Sequence, residues 1–144
     1  MKYFFKYYKD KRGGYWGEFL DLPGCQTQAN SLDKLRKMAE EVLELYFEDN
    51  YDFQCKIPLP MKEAEEQGFY VPVSPSIAFP ILLRKARLKL GLTQQEMAHK
   101  LGLKSVGAYQ RLETLFQSNP RLDTIYKIST ILGEQFTAIL KKVA

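Results

Sequence analysis

Two helix-start signals separated by a helix-stop glycine constrain the second half of this chain more than any other feature. Thr93 is a good N-cap, and Glu96, three residues later, completes the capping-box pattern. Gly102 then marks the end of the first helix, and Ser105 can cap a second one. The pattern predicts two short helices joined by a tight turn. Apolar residues recur at helical spacing along the second helix, at Tyr109, Leu112, Leu115 and Phe116.

Two helices joined in this way are typical of proteins that insert one helix into the major groove of DNA. A helical hairpin without DNA binding is the alternative. Glutamine matches the hydrogen-bonding edge of adenine, and arginine matches that of guanine. We therefore predict a phosphate contact from the first residue of the first helix and base-side contacts from the second helix, the set being Gln94, Lys104, Ser105, Val106, Gly107, Gln110 and Arg111. Arg111 could instead form an ion pair with Glu113 or a neighbouring acid.

Charge is distributed unevenly along the chain. Residues 81–144 hold eleven basic and four acidic side chains, a net charge of +7. Residues 1–60 hold nine basic and ten acidic side chains, a net charge of −1. The positive half is therefore the half with the predicted DNA-binding helices, where phosphate neutralisation would need it. The first half suits another kind of partner.

The remaining composition argues against several classes of protein. Cys25 and Cys55 lie far apart and have no matching histidine cluster, so we expect neither a metal site nor a disulfide, and no cofactor. No apolar run is long enough to span a bilayer. The first residues alternate in character and lack the apolar core of a signal peptide. We expect a cytoplasmic protein without a membrane partner.

The first half of the chain has the pattern of a small sheet. Residues 3–8 and 15–20 are rich in aromatics and flank a glycine turn, which predicts a hairpin. Residues 25–29 and 69–73 can add two short strands, the latter at an edge because Pro72 cannot donate to a ladder. Ser31 should cap a helix that runs to about Asp49.

The fold class that follows is α+β, with two domains. Residues 1–73 form a small antiparallel or mixed sheet with one or two helices, and residues 56–73 are partly connector. Residues 74–144 form an all-α domain that begins at Ser74-Pro75-Ser76. Pro80 conflicts with a regular first helix there. Either the first turn is irregular, or the regular helix begins near Ile81. Residues 136–142 fit a helix or a strand equally well.

Two family resemblances cover nearly the whole chain. Residues 92–132 resemble a repressor-type helix-turn-helix of the Xre/Cro class, through Leu92-Thr93-Gln94-Gln95-Glu96-Met97-Ala98, Arg111-Leu112-Glu113 and Asn119-Pro120-Arg121-Leu122-Asp123-Thr124. The first half resembles the HicB antitoxin family, through Gly13-Gly14-Tyr15, Glu18-Phe19-Leu20-Asp21-Leu22-Pro23-Gly24-Cys25-Gln26-Thr27, Ile57-Pro58-Leu59-Pro60 and Val71-Pro72-Val73-Ser74. The sequence departs from these patterns at Leu20, where a proline is common, and before Tyr109, where the loop is one residue longer than in many repressors.

The resemblance implies the antitoxin half of a bacterial type II toxin–antitoxin pair. The first domain, a degenerate relative of the RNase H fold, would bind a HicA toxin, a small basic ribonuclease that cuts messenger RNA. The second domain would form a homodimer or a higher even oligomer. It would repress the operon that encodes both proteins by binding double-stranded operator DNA. No catalytic residue is expected in the antitoxin itself.

Candidate toxin contacts follow from chemistry alone. Carboxylates and aromatic rings can imitate the phosphates and bases that a basic RNA-binding partner recognises. The candidates on or beside the hairpin and on the helix are Tyr15, Trp16, Glu18, Asp21, Glu40, Glu41 and Glu44. Trp16 could instead belong to the core, and Asp21 could cap the following turn.

Two other functions compete with this one. A stand-alone helix-turn-helix repressor could sense a small molecule through its first domain, which would need a pocket; a short neighbouring gene for a basic protein would argue against it. A nuclease could use metal-binding carboxylates on an RNase H-like sheet, with Asp10, Asp21 and Glu40 as candidates. No acidic constellation is evident, so we expect no enzyme. Cleavage of labelled RNA with Mg²⁺ or Mn²⁺ would test that expectation.

Overall fold

A computed structural model describes residues 1–61, 63–64 and 67–143. Lys62, Glu65 and Glu66 of the expected connector, and Ala144, lie outside the described residues. The chain divides into two compact units, Met1–Val73 and a second unit that begins at Ser74. In the first unit the elements are β1 (Lys2–Lys9), β2 (Tyr15–Phe19), β3 (Gln26–Ala29), α1 (Leu32–Asn50) and β4 (Gly68–Pro72). In the second they are α2 (Pro75–Lys89), α3 (Gln94–Lys100), α4 (Val106–Gln110), a 3-10 helix (Arg111–Glu113), α5 (Leu122–Leu132) and α6 (Glu134–Val143).

The first unit is an antiparallel sheet of strand order β3-β2-β1-β4 with α1 packed on one face. Phe5 of β1 lies opposite Phe19 of β2 and Phe69 of β4, and opposed residues share a face. The ring centroids of Phe19 and Phe69 lie 4.9 and 5.2 Å from that of Phe5. The ring centroid of Tyr3, on the same face, lies 5.8 Å from that of Phe47 of α1. This sheet, covered by a helix and followed by an all-α unit, confirms the predicted α+β class.

Strand alternation assigns the remaining side chains to the opposite surface, which we call the helix-distal face. In the register of the sheet Trp16 lies between Tyr8 and Gln28, and Glu18 lies between Lys6 and Gln26. The helix-distal face therefore carries a row of aromatic, amide and charged groups across β1, β2 and β3. The edge strand β4 contributes Tyr70 and Pro72 to the same face.

Part of the predicted connector packs against the sheet of the first unit. Ile57 is buried, and the Tyr3 hydroxyl donates to the Pro58 carbonyl oxygen at 2.6 Å. Burial raises the pKa of Tyr3, and the nearby Asp21 carboxylate adds to that effect. The carboxylate of Asp21 accepts a hydrogen bond from the Met61 backbone N–H at 3.2 Å. The segment after α1 is thus held on the sheet up to Met61.

Pro80 lies inside a regular helix, so the expectation of an irregular first turn or a start near Ile81 was wrong. α2 begins at Pro75, as the helix-start pattern predicted, and continues to Lys89. Because Pro80 has no N–H, it cannot donate to the Ser76 carbonyl oxygen one turn earlier. The backbone N–H of Phe116 donates to that oxygen instead, at 3.0 Å. The missing helical bond is replaced from outside the helix.

The second predicted helix of the pair is shorter than its apolar spacing indicates. α4 ends at Gln110, a 3-10 helix follows, and Thr114 is already extended. Phe116 therefore does not continue the helical stripe; it has a φ of +64° and is 46% exposed. Where the chain has left the helix, the Phe116 N–H bonds to the Ser76 carbonyl oxygen, a contact that helical periodicity does not encode. Further along, residues 136–142 belong to helix α6 rather than to a strand.

Candidate functional site

The joint between α3 and α4 is built as the capping pattern predicts. Thr93 Oγ1 accepts from the Glu96 N–H at 3.1 Å, and the Glu96 carboxylate accepts from the Thr93 N–H at 2.7 Å. Gly102 ends the first helix at a φ of +66°, which glycine adopts without strain. The Ser105 hydroxyl accepts from the Ala108 N–H at 3.2 Å and starts α4. These caps orient the first turn of α4.

A fully buried carboxylate organises the interior of this unit. Glu113 is 0% exposed, and its Oε1 accepts from Arg87 Nε at 2.7 Å and from the Tyr109 hydroxyl at 2.6 Å. Its Oε2 accepts from Arg84 Nε at 3.0 Å, from Arg87 Nη2 at 3.1 Å and from Gln94 Nε2 at 3.1 Å. Two guanidiniums, a phenol and an amide thus saturate one carboxylate. A buried charge needs this degree of pairing.

The protonation of this cluster follows from its hydrogen bonds. Burial by itself would raise the pKa of Glu113, but the bonds from Arg87, Tyr109 and Gln94 lower it below its ordinary value. Burial and the Glu113 charge together raise the pKa of Tyr109. The carboxylate is therefore ionised and the phenol is protonated at neutral pH. Tyr109 accordingly acts as a donor and Glu113 purely as an acceptor.

The same cluster fixes the turn that leads into α3. Arg87 Nη1 donates to the Leu92 carbonyl oxygen at 2.8 Å. Arg87 is 6% exposed, and it joins Glu113 to the turn that immediately precedes the Thr93 cap. The start of α3 is thus held from the core side by a charged hydrogen bond. We infer that the cluster sets the position of α3 as well as that of α4.

The cluster reaches the surface through two glutamines. Gln94 donates its Nε2 to Glu113, and its Oε1 accepts from Gln110 Nε2 at 3.2 Å. Because an ionised Glu113 can only accept, the amide of Gln94 must turn its nitrogen inward and its oxygen outward. Gln110 must then use one amide hydrogen for Gln94. Gln110 is exposed, and its side-chain oxygen and second amide hydrogen have no partner among the described residues.

The other predicted DNA-contacting residues lie just before α4, within it and just after it. Lys104 and Ser105 are exposed just before α4, and Val106 is 40% exposed at its start. Gly107 is half-buried, and a Cβ there would meet the Ser105 hydroxyl at 3.7 Å, an ordinary contact. Arg111 is exposed at the end of α4, whereas Glu113 is buried beneath Arg84 and Arg87.

Sequence reasoning missed the buried charges of the second unit, although a signal was present. Arg87 follows the buried Leu83 by four residues in α2, and Glu113 follows the buried Tyr109 by four residues. Charged residues at core-facing helical positions indicate a buried pair. One basic and one acidic residue of this kind were in the sequence. The contribution of Arg84, which is half-buried, carried no comparable signal.

The predicted toxin contacts do not form one surface. Trp16 and Glu18 lie on the helix-distal face, whereas Tyr15 lies on the α1 side, 6.0 Å from Tyr7. Tyr15 and Glu41 line a groove of about 530 Å³ between the hairpin and α1. The remaining candidates are elsewhere: Glu40 and Glu44 are exposed on α1, and Asp21 is bonded to the Met61 backbone.

Trp16 has a defined environment rather than a core position. It is 38% exposed, and its ring stacks on that of Tyr8 with centroids 4.4 Å apart and planes at 19°. Beside it, Gln26, Thr27 and Gln28 of β3 complete a hollow of about 370 Å³. Tyr8, Gln26 and Gln28 were not among the predicted contacts, although strand alternation alone would have assigned them to the face of Trp16.

Groups that could support other chemistry are few in the part of the chain that the structure describes. That part contains no cluster of three or more His, Cys, Asp or Glu side chains able to hold a metal ion. The Asp10 carboxylate accepts from the Arg12 backbone N–H in the hairpin turn, and Asp21 and Glu40 lie in the separate positions given above. Cys25 and Cys55 are both buried and outside any disulfide among the described residues, and burial raises the pKa of the Cys25 thiol to about 12. No described helix is long and apolar enough to cross a membrane.

Comparison with known proteins adds family relationships to this geometry. The helix-turn-helix family profile matches residues 83–139, from within α2 to within α6. Antitoxin HicB 1 of Photorhabdus laumondii is 34% identical over 133 residues, which cover 88% of this chain and 79% of that relative. Antitoxin HicB of Escherichia coli K12 is 30% identical over 132 residues, which cover 89% of this chain and 91% of that relative. Antitoxin HicB 2 of Photorhabdus laumondii is 28% identical over 140 residues, 96% of each chain. The chain therefore belongs to the HicB family of antitoxins, with a DNA-binding helix-turn-helix domain in its second half.

Proposed function

We propose that this protein binds and neutralises a small basic ribonuclease toxin of the HicA type and represses the operon that encodes both proteins. The first unit binds the toxin, and the helix-turn-helix unit binds operator DNA as a homodimer in the bacterial cytoplasm. The observation that carries the proposal is the similarity to HicB antitoxins over most of this chain and most of each relative. The protein acts by binding and is not an enzyme.

The second unit supplies the chemistry that operator binding needs. Its charge is strongly positive, which favours association with the phosphate backbone. Gln110 at the end of α4 and Arg111 just after it are exposed, as are Lys104 and Ser105 just before it. Gln94, at the start of α3, is poised near the backbone while α4 enters the groove. These residues make the DNA contacts.

The orientation of the glutamine pair selects a base. Gln110 keeps one oxygen acceptor and one amide donor for a ligand, because its other amide hydrogen is used by Gln94. Adenine offers a donor at N6 and an acceptor at N7 in the major groove, which matches this pair of groups. We assign Gln110 to an adenine. The exposed guanidinium of Arg111 is suited to a guanine at a neighbouring position.

An exposed apolar stripe on α5 supports the homodimer. Leu122 is 84% exposed and Tyr126, one turn later, is 73% exposed. Large apolar side chains left so open on one helix indicate a protein interface. A two-fold dimer through α5 would present two α4 helices to half-sites about 34 Å apart. The operator is then a palindrome or near-palindrome.

The proposal is tested with the neighbouring gene and the promoter of the operon. Expression of a short adjacent gene for a basic protein should arrest growth and degrade RNA, and co-expression of this chain should relieve both effects. The purified chain should shift promoter DNA in a gel, with affinity falling as salt rises. Gln110→Ala should need more protein to give the same shift and should keep the relief of arrest. A neighbour without ribonuclease activity, or one that the chain leaves active, would exclude the antitoxin role.

One observation favours a second candidate, a repressor that senses a small molecule. The groove between the hairpin and α1 could accommodate a small polar ligand, and Lys34, Lys37 and Tyr15 are among its lining residues. A metabolite that raised the melting temperature of the chain and changed its affinity for the promoter would support this function. Lys37→Ala should remove both effects of such a ligand. The family relationship makes the antitoxin function the better supported of the two.

A further inference from the structure

Trp16 is the sole tryptophan of the chain, and its ring is both partly exposed and packed against a neighbour. One face of its indole is covered by the stacked ring of Tyr8, 4.4 Å away. A ring that is already packed has little conformational freedom left to lose when it binds a partner. Aromatic side chains of this kind, partly exposed and ordered, are the usual anchors of protein interfaces.

The hollow beside Trp16 is lined by polar groups. Gln28 lies directly opposite Trp16 in the sheet register, and Gln26 lies opposite Glu18. Together with Thr27, the two glutamines and Trp16 line this open hollow of about 370 Å³. The hollow thus has a flat aromatic wall and two side-chain amides, whose oxygens can accept hydrogen bonds.

A carboxylate lies next to this hollow, that of Glu18, which pairs with the lining residue Gln26 in the sheet register. Glu18 follows Trp16 by two residues on the same face of β2 and is half-buried. Among the described residues no ion-pair partner of Glu18 is found. Lys6 lies opposite Glu18 in the register, but its ammonium lies 5.4 Å from the Tyr8 ring centroid. A half-buried carboxylate beside an aromatic wall favours a cationic ligand.

We propose that this hollow anchors an arginine side chain of the toxin, an inference that rests on the function proposed above. The guanidinium lies flat against Trp16 and donates to the carboxylate of Glu18 and to the side-chain oxygens of Gln26 and Gln28. The planar guanidinium, with five N–H donors, can stack on the indole and donate to these oxygens at the same time, which a lysine ammonium cannot do. The centre of the toxin interface is therefore the helix-distal face, and the acids of α1 lie outside it.

Trp16 fluorescence reports on this hollow directly, because this chain has no other tryptophan and the emission of the toxin alone can be subtracted. Titration of the full chain with the toxin should change the emission of Trp16 and saturate at a fixed stoichiometry. Glu18→Gln keeps the shape and removes the charge, and it should weaken toxin binding roughly 10–100-fold. Trp16→Ala, followed by calorimetry, should weaken it similarly. Glu48→Gln, the same change on exposed α1, should leave the affinity unaltered, and circular dichroism should confirm that each variant is folded.

A small probe separates failure of this inference from failure of the antitoxin function. The peptide Gly-Arg-Gly should change Trp16 emission in the wild type more than Gly-Lys-Gly does, and Glu18→Gln should abolish the difference. If the toxin does not bind the wild type, the antitoxin function fails and the peptide titration alone decides on the hollow. Toxin binding that is unaltered in both Glu18→Gln and Trp16→Ala overturns the inference. So does a single-stranded oligouridine that changes the emission of wild type and Glu18→Gln equally, since the hollow would then take a nucleobase.

Discussion

The backbone N–H of Phe116 donates to the carbonyl oxygen of Ser76 at 3.0 Å. This oxygen is the acceptor that Pro80 leaves without its helical donor, so the bond closes a gap in the first half of α2. To reach it, Phe116 adopts a φ of +64°, a conformation that a bulky side chain rarely takes. Pro80 in α2 is thereby linked to the turn that follows α4 and the 3-10 helix.

Phe116→Pro should destabilise the second unit. Proline cannot adopt a positive φ and has no N–H for the Ser76 carbonyl oxygen, so both the turn and the hydrogen bond are lost. We expect the free energy of unfolding to fall by about 2–4 kcal/mol. Urea denaturation followed by circular dichroism measures the change. Phe116→Asn, which keeps the N–H and tolerates this φ, should stay within about 1 kcal/mol of the wild type; equal losses in both variants would refute the role of the bond.

Glu113→Ala should be among the most destabilising single substitutions in the chain. It removes the carboxylate that Arg84 and Arg87 share and leaves the buried Arg87 charge unpaired. Breaking one partner of a buried ion pair lowers the free energy of unfolding by about 3–5 kcal/mol. Thermal and urea denaturation measure the loss. Glu134→Ala, an exposed acid of α6, is the matched control and should change stability by less than about 1 kcal/mol.

The Glu113 cluster also makes stability depend on pH in a defined direction. The pKa of Glu113 is lowered in the folded protein from its ordinary value of 4.5. The contribution of Glu113 to the free energy of unfolding is therefore fully present above pH 4.5 and is lost as the pH falls through the lower pKa of the folded state. The stability difference between wild type and Glu113→Gln should shrink below that pH, because glutamine does not titrate. A difference that stayed constant down to about pH 3 would contradict the lowered pKa.

Gln110→Ala should weaken operator binding through a lost base contact. Removal of one bidentate contact costs about 1–3 kcal/mol, or roughly 5–150-fold in Kd, and relaxes the preference at that base. Gln117→Ala, the same change at an exposed position beyond α4, should stay within about twofold. The salt dependence gives a second criterion: Gln110→Ala should leave the slope of log K against log salt unaltered. Lys104→Ala should reduce it by about 1.

Tyr126→Asp should dissociate the proposed dimer. A charge at this exposed position of α5 would be buried without a partner if two copies meet there. Light scattering coupled to gel filtration should then give the mass of one chain, and affinity for the full operator should fall with it. Thr137→Asp, on the exposed side of α6, should leave the dimer intact. A monomeric wild type would already refute the α5 interface.

Local signals account for what could be predicted from the sequence. Thr93, Ser105 and Ser31 cap helices as expected, because a cap depends on atoms within a few residues. The prediction for Pro80 was wrong because the hydrogen bond that replaces its missing one comes from Phe116, which follows α3 and α4 in the chain. Helical spacing carries no information about such a bond. The same limit explains why α4 was expected to run too far.

The candidate sites show the same division. Alternation places Trp16 and Tyr15 on opposite faces of β2, so adjacent residues of the predicted toxin set cannot serve one flat contact. That separation follows from the strand pattern, whereas the groove and the hollow depend on how β3 pairs and where α1 packs. The Glu113 cluster joins residues from α2, α3 and α4, and only the tertiary fold brings them together.

Gln94 has two structural roles, and a substitution there changes both at once. Its amide belongs at once to the buried Glu113 cluster and to the exposed Gln110. A substitution there that altered the base preference would also disturb the core, so drift at this position is restrained. Gln110, Arg111 and Lys104 are exposed and lie outside the Glu113 cluster. When duplicated antitoxin genes of this family share one cell and must ignore each other's promoters, divergence should accumulate at those outer positions while the glutamine beneath them stays unaltered.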